Sequence, residues 1–188
     1  MRPEIDHYLE HLRAERNASP HTLRSVRGDL ENLRSLLAER GGGEPDVARV
    51  SLADLRACVA ERLRRVARAS VARQVASIRG FFRFLCREEA LSRDPAARLG
   101  APRTEQRLPA FLPIDDTERL LNGLGRGGAW AERDRAILET LYSCGLRVSE
   151  LVGLDWRDLD LENECIRAFG KGRKERIVPI GEIALDAL

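Results

Sequence analysis

In the stretch SVARQVASIRGFFRFLCREEA, residues 70–90, apolar side chains recur at Val71, Val75, Ile78, Phe82 and Leu85, in steps of four and three. A strand alternates faces at every residue and cannot bury this set on one side. A helix of 3.6 residues per turn can. The same stepping runs through SPHTLRSVRGDLENLRSLLAER at Leu23, Val26, Leu30, Leu33 and Leu37, with Ser19 placed as an N-cap and Pro20 at the first helical position. Ile5, Leu9 and Leu12 give residues 3–16 the same character, and SLADLRACVAERLRRVA opens with Ser51 and Asp54 in capping-box spacing. The first half of the chain is therefore expected to form four amphipathic helices with short connections, a compact bundle of about 100 residues.

The second half reads differently. SRDPAARLGAPRTEQRLPAFLP, residues 92–113, holds four prolines and little periodicity, which marks a linker. A short helix is expected from about Asp115–Thr117, a longer one in AWAERDRAILETLYSCG ending at Gly145, and another in RVSELVGLDW. ECIRAF and ERIVPI are β-rich runs joined by GKGRK, a hairpin signal with Gly170 and Gly172 at the turn. The closing GEIALDAL begins a helix and stops in mid-pattern, which reads as a fragment. Tyr142, in register with apolar neighbours in ILETLYSCG, is expected in the core.

Charge is distributed unevenly. Residues 1–107 carry 21 basic and 15 acidic side chains, net +6, whereas residues 108–188 carry 11 and 15, net −4. The basic half is where a polyanion would be sought. No apolar run approaches the ~18 residues of a membrane span, and MRPEIDHYLEHLRAER has no signal-peptide core, so a cytoplasmic protein is expected. Cys58, Cys86, Cys144 and Cys165 form no C-x-x-C pair and lie far from the histidines, so reduced thiols are expected, with no metal.

Of 32 basic residues only two are lysine, and both, Lys171 and Lys174, fall within FGKGRKER. An ammonium with pKa near ~10.4 can release a proton, while a guanidinium above ~12 effectively cannot. At CGLRVSELVGLDWRDLDL and FGKGRKERIVPI the sequence resembles the tyrosine recombinases, most closely the XerC/XerD group. SPHTLRSVRGDLENL and SVARQVASIRGFFRFL resemble that family's core-binding domain, and DPAARLGAPRTEQRLPAFLP its linker.

The resemblance implies a mainly α fold: a four-helix, SAM-like core-binding domain over residues 1–97, a linker over 98–110, and over 111–188 the first half of an α+β catalytic domain with a β-hairpin. It implies site-specific DNA recombination through a 3′-phosphotyrosine, with no cofactor. Arg147 matches the first catalytic arginine, which stabilises charge on the non-bridging phosphate oxygens. Lys171 matches the general acid that protonates the leaving 5′-oxygen. Glu150, three residues after Arg147 on one helical face, is a candidate to orient that guanidinium. Lys174 is read as a phosphate contact or a solvated charge.

For DNA binding, the polar face of the fourth helix offers Ser70, Arg73, Ser77 and Gly80, and the second helix offers His21, Arg24 and Arg27. Arg73, Ser77, Arg24 and Arg27 are the candidates; Arg27 has an alternative as an i,i+4 partner of Glu31. The partners implied are double-stranded DNA, other recombinase protomers in a tetramer on two sites, and a cell-division DNA translocase acting in chromosome partition, with no membrane. The family's His-x-x-Arg box and nucleophilic tyrosine have no match; the only tyrosines are Tyr8 and Tyr142. The chain alone is therefore expected to bind DNA without cutting it. The alternative is a non-catalytic DNA-binding protein, a truncated or degenerate relative. An α-helical interaction module is a third reading.

Overall fold

A computed structural model describes residues 1–104, 110–123, 130–170 and 174–188. The chain divides into two compact units, residues 1–107 and 108–188.

The first unit contains α1 (Arg2–Ala14), α2 (Pro20–Gly41), α3 (Leu52–Arg65) and α4 (Arg68–Arg87), with a 3-10 turn at Val47–Arg49. The caps form as the sequence dictates. Ser19 Oγ accepts the Thr22 N–H at 3.2 Å, and Ser51 and Asp54 exchange both bonds of a capping box. Gly42, at φ +73°, closes α2 in the left-handed conformation that a side chain would resist.

α4 packs against α1, α2 and α3. Its buried residues are Val71, Gln74, Val75, Ile78, Phe81, Phe82, Phe84 and Leu85, a stripe wider than the sequence spacing required, as befits a central helix. Phe81 and Phe82 are fully buried, a contribution of about 1.5–3 kcal/mol each. On α2, Leu30, Leu33, Leu36 and Leu37 are buried, while Leu23 and Val26 lie at the margin of the core. Ala96 and Leu99, from the proline-rich stretch, are buried in this same core, so that stretch is packed at least as far as Leu99.

The second unit contains α5 (Ile114–Gly123), α6 (Ala131–Cys144), α7 (Val148–Val152), a 3-10 turn at Trp156–Asp158, β1 (Leu159–Asp160), β2 (Cys165–Phe169), β3 (Glu175–Pro179) and α8 (Glu182–Ala187). The strands make one antiparallel sheet in the order β1-β2-β3, with Leu159 opposite Ile166 and Ile166 opposite Val178. β1 was not anticipated; two residues carry no period to read. Ile166 and Ala168 alternate inward and meet Cys144, Leu146, Ile180 and Ala184 in a second core. The start of α8 is tied to α6 by the Gly181 N–H, which donates to Ser143 Oγ at 2.7 Å.

The expectation that Tyr142 is a core residue is overturned: it is 63% exposed. Thr140 and Cys144, four apart, turn inward with Leu141 beside them. Tyr142 follows Leu141 by one position, about 100° around the helix, and projects outward. Tyr8 is the buried tyrosine, packed against Phe81 and Phe84 in the first unit.

Candidate active site and nucleic-acid interface

Gly145, at φ +58°, ends α6, and Leu146 is anchored in the second core. The next residue, Arg147, is the extended N-cap of α7. Its helical third position is Glu150, whose carboxylate turns back to accept the Arg147 backbone N–H at 2.8 Å and Arg147 Nη1 at 2.8 Å. From β3, Arg176 meets the same carboxylate in a two-pronged contact, Nη1 to Oε1 at 2.6 Å and Nη2 to Oε2 at 2.7 Å. Four hydrogen bonds fill the acceptor capacity of a carboxylate.

The Glu150 side chain is 2% exposed and that of Arg147 is 68% exposed, so the anchor is covered and the anchored cation faces solvent. The Arg176 fork, the Arg147 backbone N–H and the Arg147 guanidinium hold the Glu150 carboxyl well below the usual glutamate range, against the opposing effect of burial. Glu150 in turn raises the pKa of Arg176. The three side chains sum to one positive charge, and among the described residues only Nη1 of the Arg147 guanidinium is engaged. This leaves a fixed cation with free donors, suited to an anionic oxygen.

The hairpin approaches closely here. Its Gly170 N–H donates to Lys174 O at 2.7 Å, and a Cβ added at Gly170 would lie 3.2 Å from Glu150 Oε1 and 3.4 Å from Arg176 Nη1. Lys174 is exposed. Lys171 lies outside the described residues. The sequence reading missed Arg176. Strand alternation puts Arg176 on the same side as Val178, but Ile177 on the opposite side is equally apolar, so the sequence alone did not say which face turns inward.

In the first unit, Arg73 and Ser77 come together on a buried acid. Arg73 Nη1 donates to Asp29 Oδ2 at 2.5 Å and Ser77 Oγ donates to the same oxygen at 2.8 Å. Gln74 Nε2 donates to the Asp29 carbonyl at 3.0 Å and to Asn32 Oδ1 at 2.9 Å. Asp29, 6% exposed, was also missed by the sequence reading, although a lone carboxylate within the α2 apolar stripe, between Val26 and Leu33, was there to find.

Arg24 and Arg27 do not join this group. Arg24 Nη2 lies 3.0 Å from His21 Nδ1, and Arg27 Nη1 donates to Asp6 of α1 at 2.8 Å. The alternative pairing of Arg27 with Glu31 is not formed, because Glu31 takes Arg34 at 2.7 Å. Gly80 does not offer an open approach either: a Cβ there would meet Tyr8 Oη at 2.5 Å, so its smallness makes room for Tyr8. Among the described residues, no group of three or more His, Cys, Asp or Glu side chains is arranged to hold a metal ion, and no helix is long and apolar enough to cross a membrane.

Two family models match this chain in sequence, the phage integrase N-terminal SAM-like domain over residues 5–89 and the phage integrase family over residues 110–188. The chain belongs to the phage integrase family of tyrosine recombinases. As an integrase-family chain it is 43% identical to the tyrosine recombinase XerC of Pelobacter propionicus, over 98% of this chain and 61% of that protein. It is likewise 43% identical to the tyrosine recombinase XerC of Azotobacter vinelandii, over 100% of this chain and 62% of that protein. It thus spans a little over three fifths of the length of these relatives.

Its fold is similar to that of a lambda integrase (75–356) dimer bound to a COC′ core site, with TM-score 0.78 and 17% identity, over 100% of this chain and 67% of that one. A lambda integrase tetramer bound to a Holliday junction gives TM-score 0.78 and 17% identity, over 100% and 55%. The Tn1549 transposon integrase in complex with circular intermediate DNA gives 0.67 and 21%, over 98% and 62%. At these identities the likeness concerns the integrase fold, a mainly helical chain with a small three-stranded sheet.

Proposed function

We propose that this chain carries the DNA-gripping unit and the first part of the active site of a site-specific recombinase acting on double-stranded DNA. The observation that carries the reading is the exposed Arg147 guanidinium, fixed on a buried Glu150 that Arg176 also neutralises. In the complete enzyme a tyrosine oxygen attacks the phosphorus, and negative charge grows on the non-bridging oxygens. Arg147 meets that charge without reorganising. The 5′-oxygen leaves with a proton from Lys171, and the phosphate remains esterified to the tyrosine at the 3′ end. Glu150 and Arg176 touch no reacting atom; they set the position of Arg147. In the basic first unit, Arg73, Arg24 and Arg27 meet phosphates, and Lys174 adds a further contact on the hairpin. Similarity to relatives that act as recombinases, and to integrases seen as dimers and tetramers on DNA, supports DNA and further recombinase protomers as partners.

The nucleophile is neither tyrosine of this chain. Tyr8 is buried in the first unit. Tyr142 is exposed, so the case against it rests on the family pattern, in which the attacking tyrosine follows a His-x-x-Arg box. A gel shift with duplex DNA, paired with a nicked suicide substrate, tests both halves. The expected result is a shift that weakens steeply with salt and no adduct surviving denaturant. Failure to bind duplex DNA would refute the first half, and an adduct mapped to Tyr142 the second.

A further inference from the structure

Resting on the reading that the first unit grips DNA, we infer that Asp29 is a positioning residue for Arg73, and that Ser77 serves Asp29 and not the phosphate. The hydroxyl of Ser77 has one proton, directed at Asp29 Oδ2 at 2.8 Å; its other acceptor within reach, the Arg73 carbonyl, is 3.4 Å away. With that proton committed, Ser77 offers only lone pairs outward, and a phosphate ester offers no proton in return. Arg73, by contrast, spends Nη1 on Asp29 and on the Ser25 carbonyl while its side chain stays 54% exposed. The rest of its fork is available to an anion.

Asp29 is held in turn. Gln74 bonds its carbonyl and Asn32 together, and the carboxylate side chain is 7% exposed. A buried carboxylate is costly to desolvate and survives by being bonded. Here its bonds run from α4 to α2 and fix an arginine on the outer surface.

Two consequences of Asp29 oppose each other. Its charge repels DNA, an effect that salt screens little at a covered carboxylate but that the paired Arg73 guanidinium offsets. Its grip removes rotamer freedom that Arg73 would otherwise lose on binding, and arginine has among the largest such freedoms of any side chain. Because the Asp29 charge is compensated by the guanidinium it grips, the ordering effect wins.

The test is fluorescence anisotropy of a labelled duplex titrated with the full chain at several salt concentrations, each variant checked for helix content by circular dichroism. Asp29→Asn keeps the backbone carbonyl that Gln74 uses and removes one negative charge. It is expected to weaken binding several-fold in spite of that lost charge. Arg73→Ala is expected to weaken binding and lower the salt slope by about one. The Asp29→Asn/Arg73→Ala double variant should bind no more weakly than Arg73→Ala alone. Ser77→Ala is expected to cost affinity when Arg73 is present and nothing when Arg73 is already alanine. This second cycle stands whether or not Asp29→Asn folds. Tighter binding by Asp29→Asn, independent losses in the Asp29 cycle, or a Ser77→Ala loss that persists without Arg73 would each overturn the inference. No binding by the unaltered chain would defeat the functional reading itself, and this inference with it.

Discussion

Replacing Gly80 by alanine sets two effects of known size against each other. Gly80 lies inside α4, where exchanging glycine for alanine ordinarily gains about 1 kcal/mol of helix stability. Here the new methyl would stand 2.5 Å from Tyr8 Oη and 3.6 Å from Tyr8 Cζ. Tyr8 is held among Phe81 and Phe84 and cannot swing aside freely. Overpacking of this kind costs about 1–3 kcal/mol, so Gly80→Ala should be net destabilising by about 1 kcal/mol. For a unit of this size that is a drop of about 4 °C or more in midpoint.

Tyr8→Phe removes the oxygen and leaves ordinary contact at the ring carbon. No hydrogen bond to the Tyr8 hydroxyl is formed among the described residues, so the single variant should be close to neutral. In that background Gly80→Ala should become stabilising by about 0.5–1 kcal/mol, the helix gain now unopposed. Thermal unfolding followed by far-ultraviolet circular dichroism suits the measurement, because the first unit is helical while both tryptophans, Trp130 and Trp156, lie in the second. If Gly80→Ala has the same sign in both backgrounds, the close approach of Tyr8 is not what keeps position 80 small. If the single variant instead loses DNA affinity with stability unchanged, Gly80 belongs to a nucleic-acid face after all.

Acid should unfold the second unit through Glu150. Its folded pKa lies below the ordinary value, so the stabilisation it provides is complete above the usual glutamate range and is lost as pH falls through the folded value. Arg176→Met returns Glu150 toward its ordinary pKa, and the acid transition in tryptophan fluorescence should move to higher pH. Gly170→Ala should move it the same way by a smaller amount, because its Cβ, 3.2 Å from Glu150 Oε1, presses on the pair without removing it. If Lys171 is the general acid of the complete enzyme, Lys171→Arg and Lys171→Ala should each cut rate by about 10²–10⁴. A substrate with sulfur at the 5′-bridging position, which leaves without a proton, should restore cleavage to both; near-normal cleavage of ordinary DNA by Lys171→Arg would reduce Lys171 to a positive charge.

The helices were legible because each carries its own instructions. Ser19 with Pro20, Ser51 with Asp54, and the glycines at 42 and 145 act within a few residues, and the apolar steps need only the helical period. Arg147 and Glu150 were legible for the same reason, being three residues apart on one turn. What stayed hidden is what joins distant segments. Arg176 meets Glu150 across 26 positions, Asp29 meets Arg73 across 44, and the Tyr8 hydroxyl fills the space above Gly80 from another helix. Tyr142 failed for a related reason: its apolar neighbours lie on two sides of α6, and only the packing of the second core decides which side is inward.

The two buried carboxylates have the same relation to the chemistry around them. Asp29 and Glu150 are each covered, and each grips an arginine that is more than half exposed. Arginine brings a rigid fork and a permanent charge, but on a free side chain it must be ordered at the moment of binding. A covered carboxylate does that ordering during folding, at the expense of neutralising part of the charge. At Glu150 the neutralisation is itself corrected, since Arg176 supplies the second cation and Arg147 keeps a net positive surrounding. At Asp29 the other partners, Ser77 and Gln74, are neutral, so Arg73 shares its charge. Under the proposed function the difference follows what each arginine would meet, a phosphate that only holds DNA at Arg73 and a charge growing in a transition state at Arg147. A phosphate contact that only holds DNA tolerates a half-neutralised arginine, whereas charge growing in a transition state requires an arginine whose field is intact.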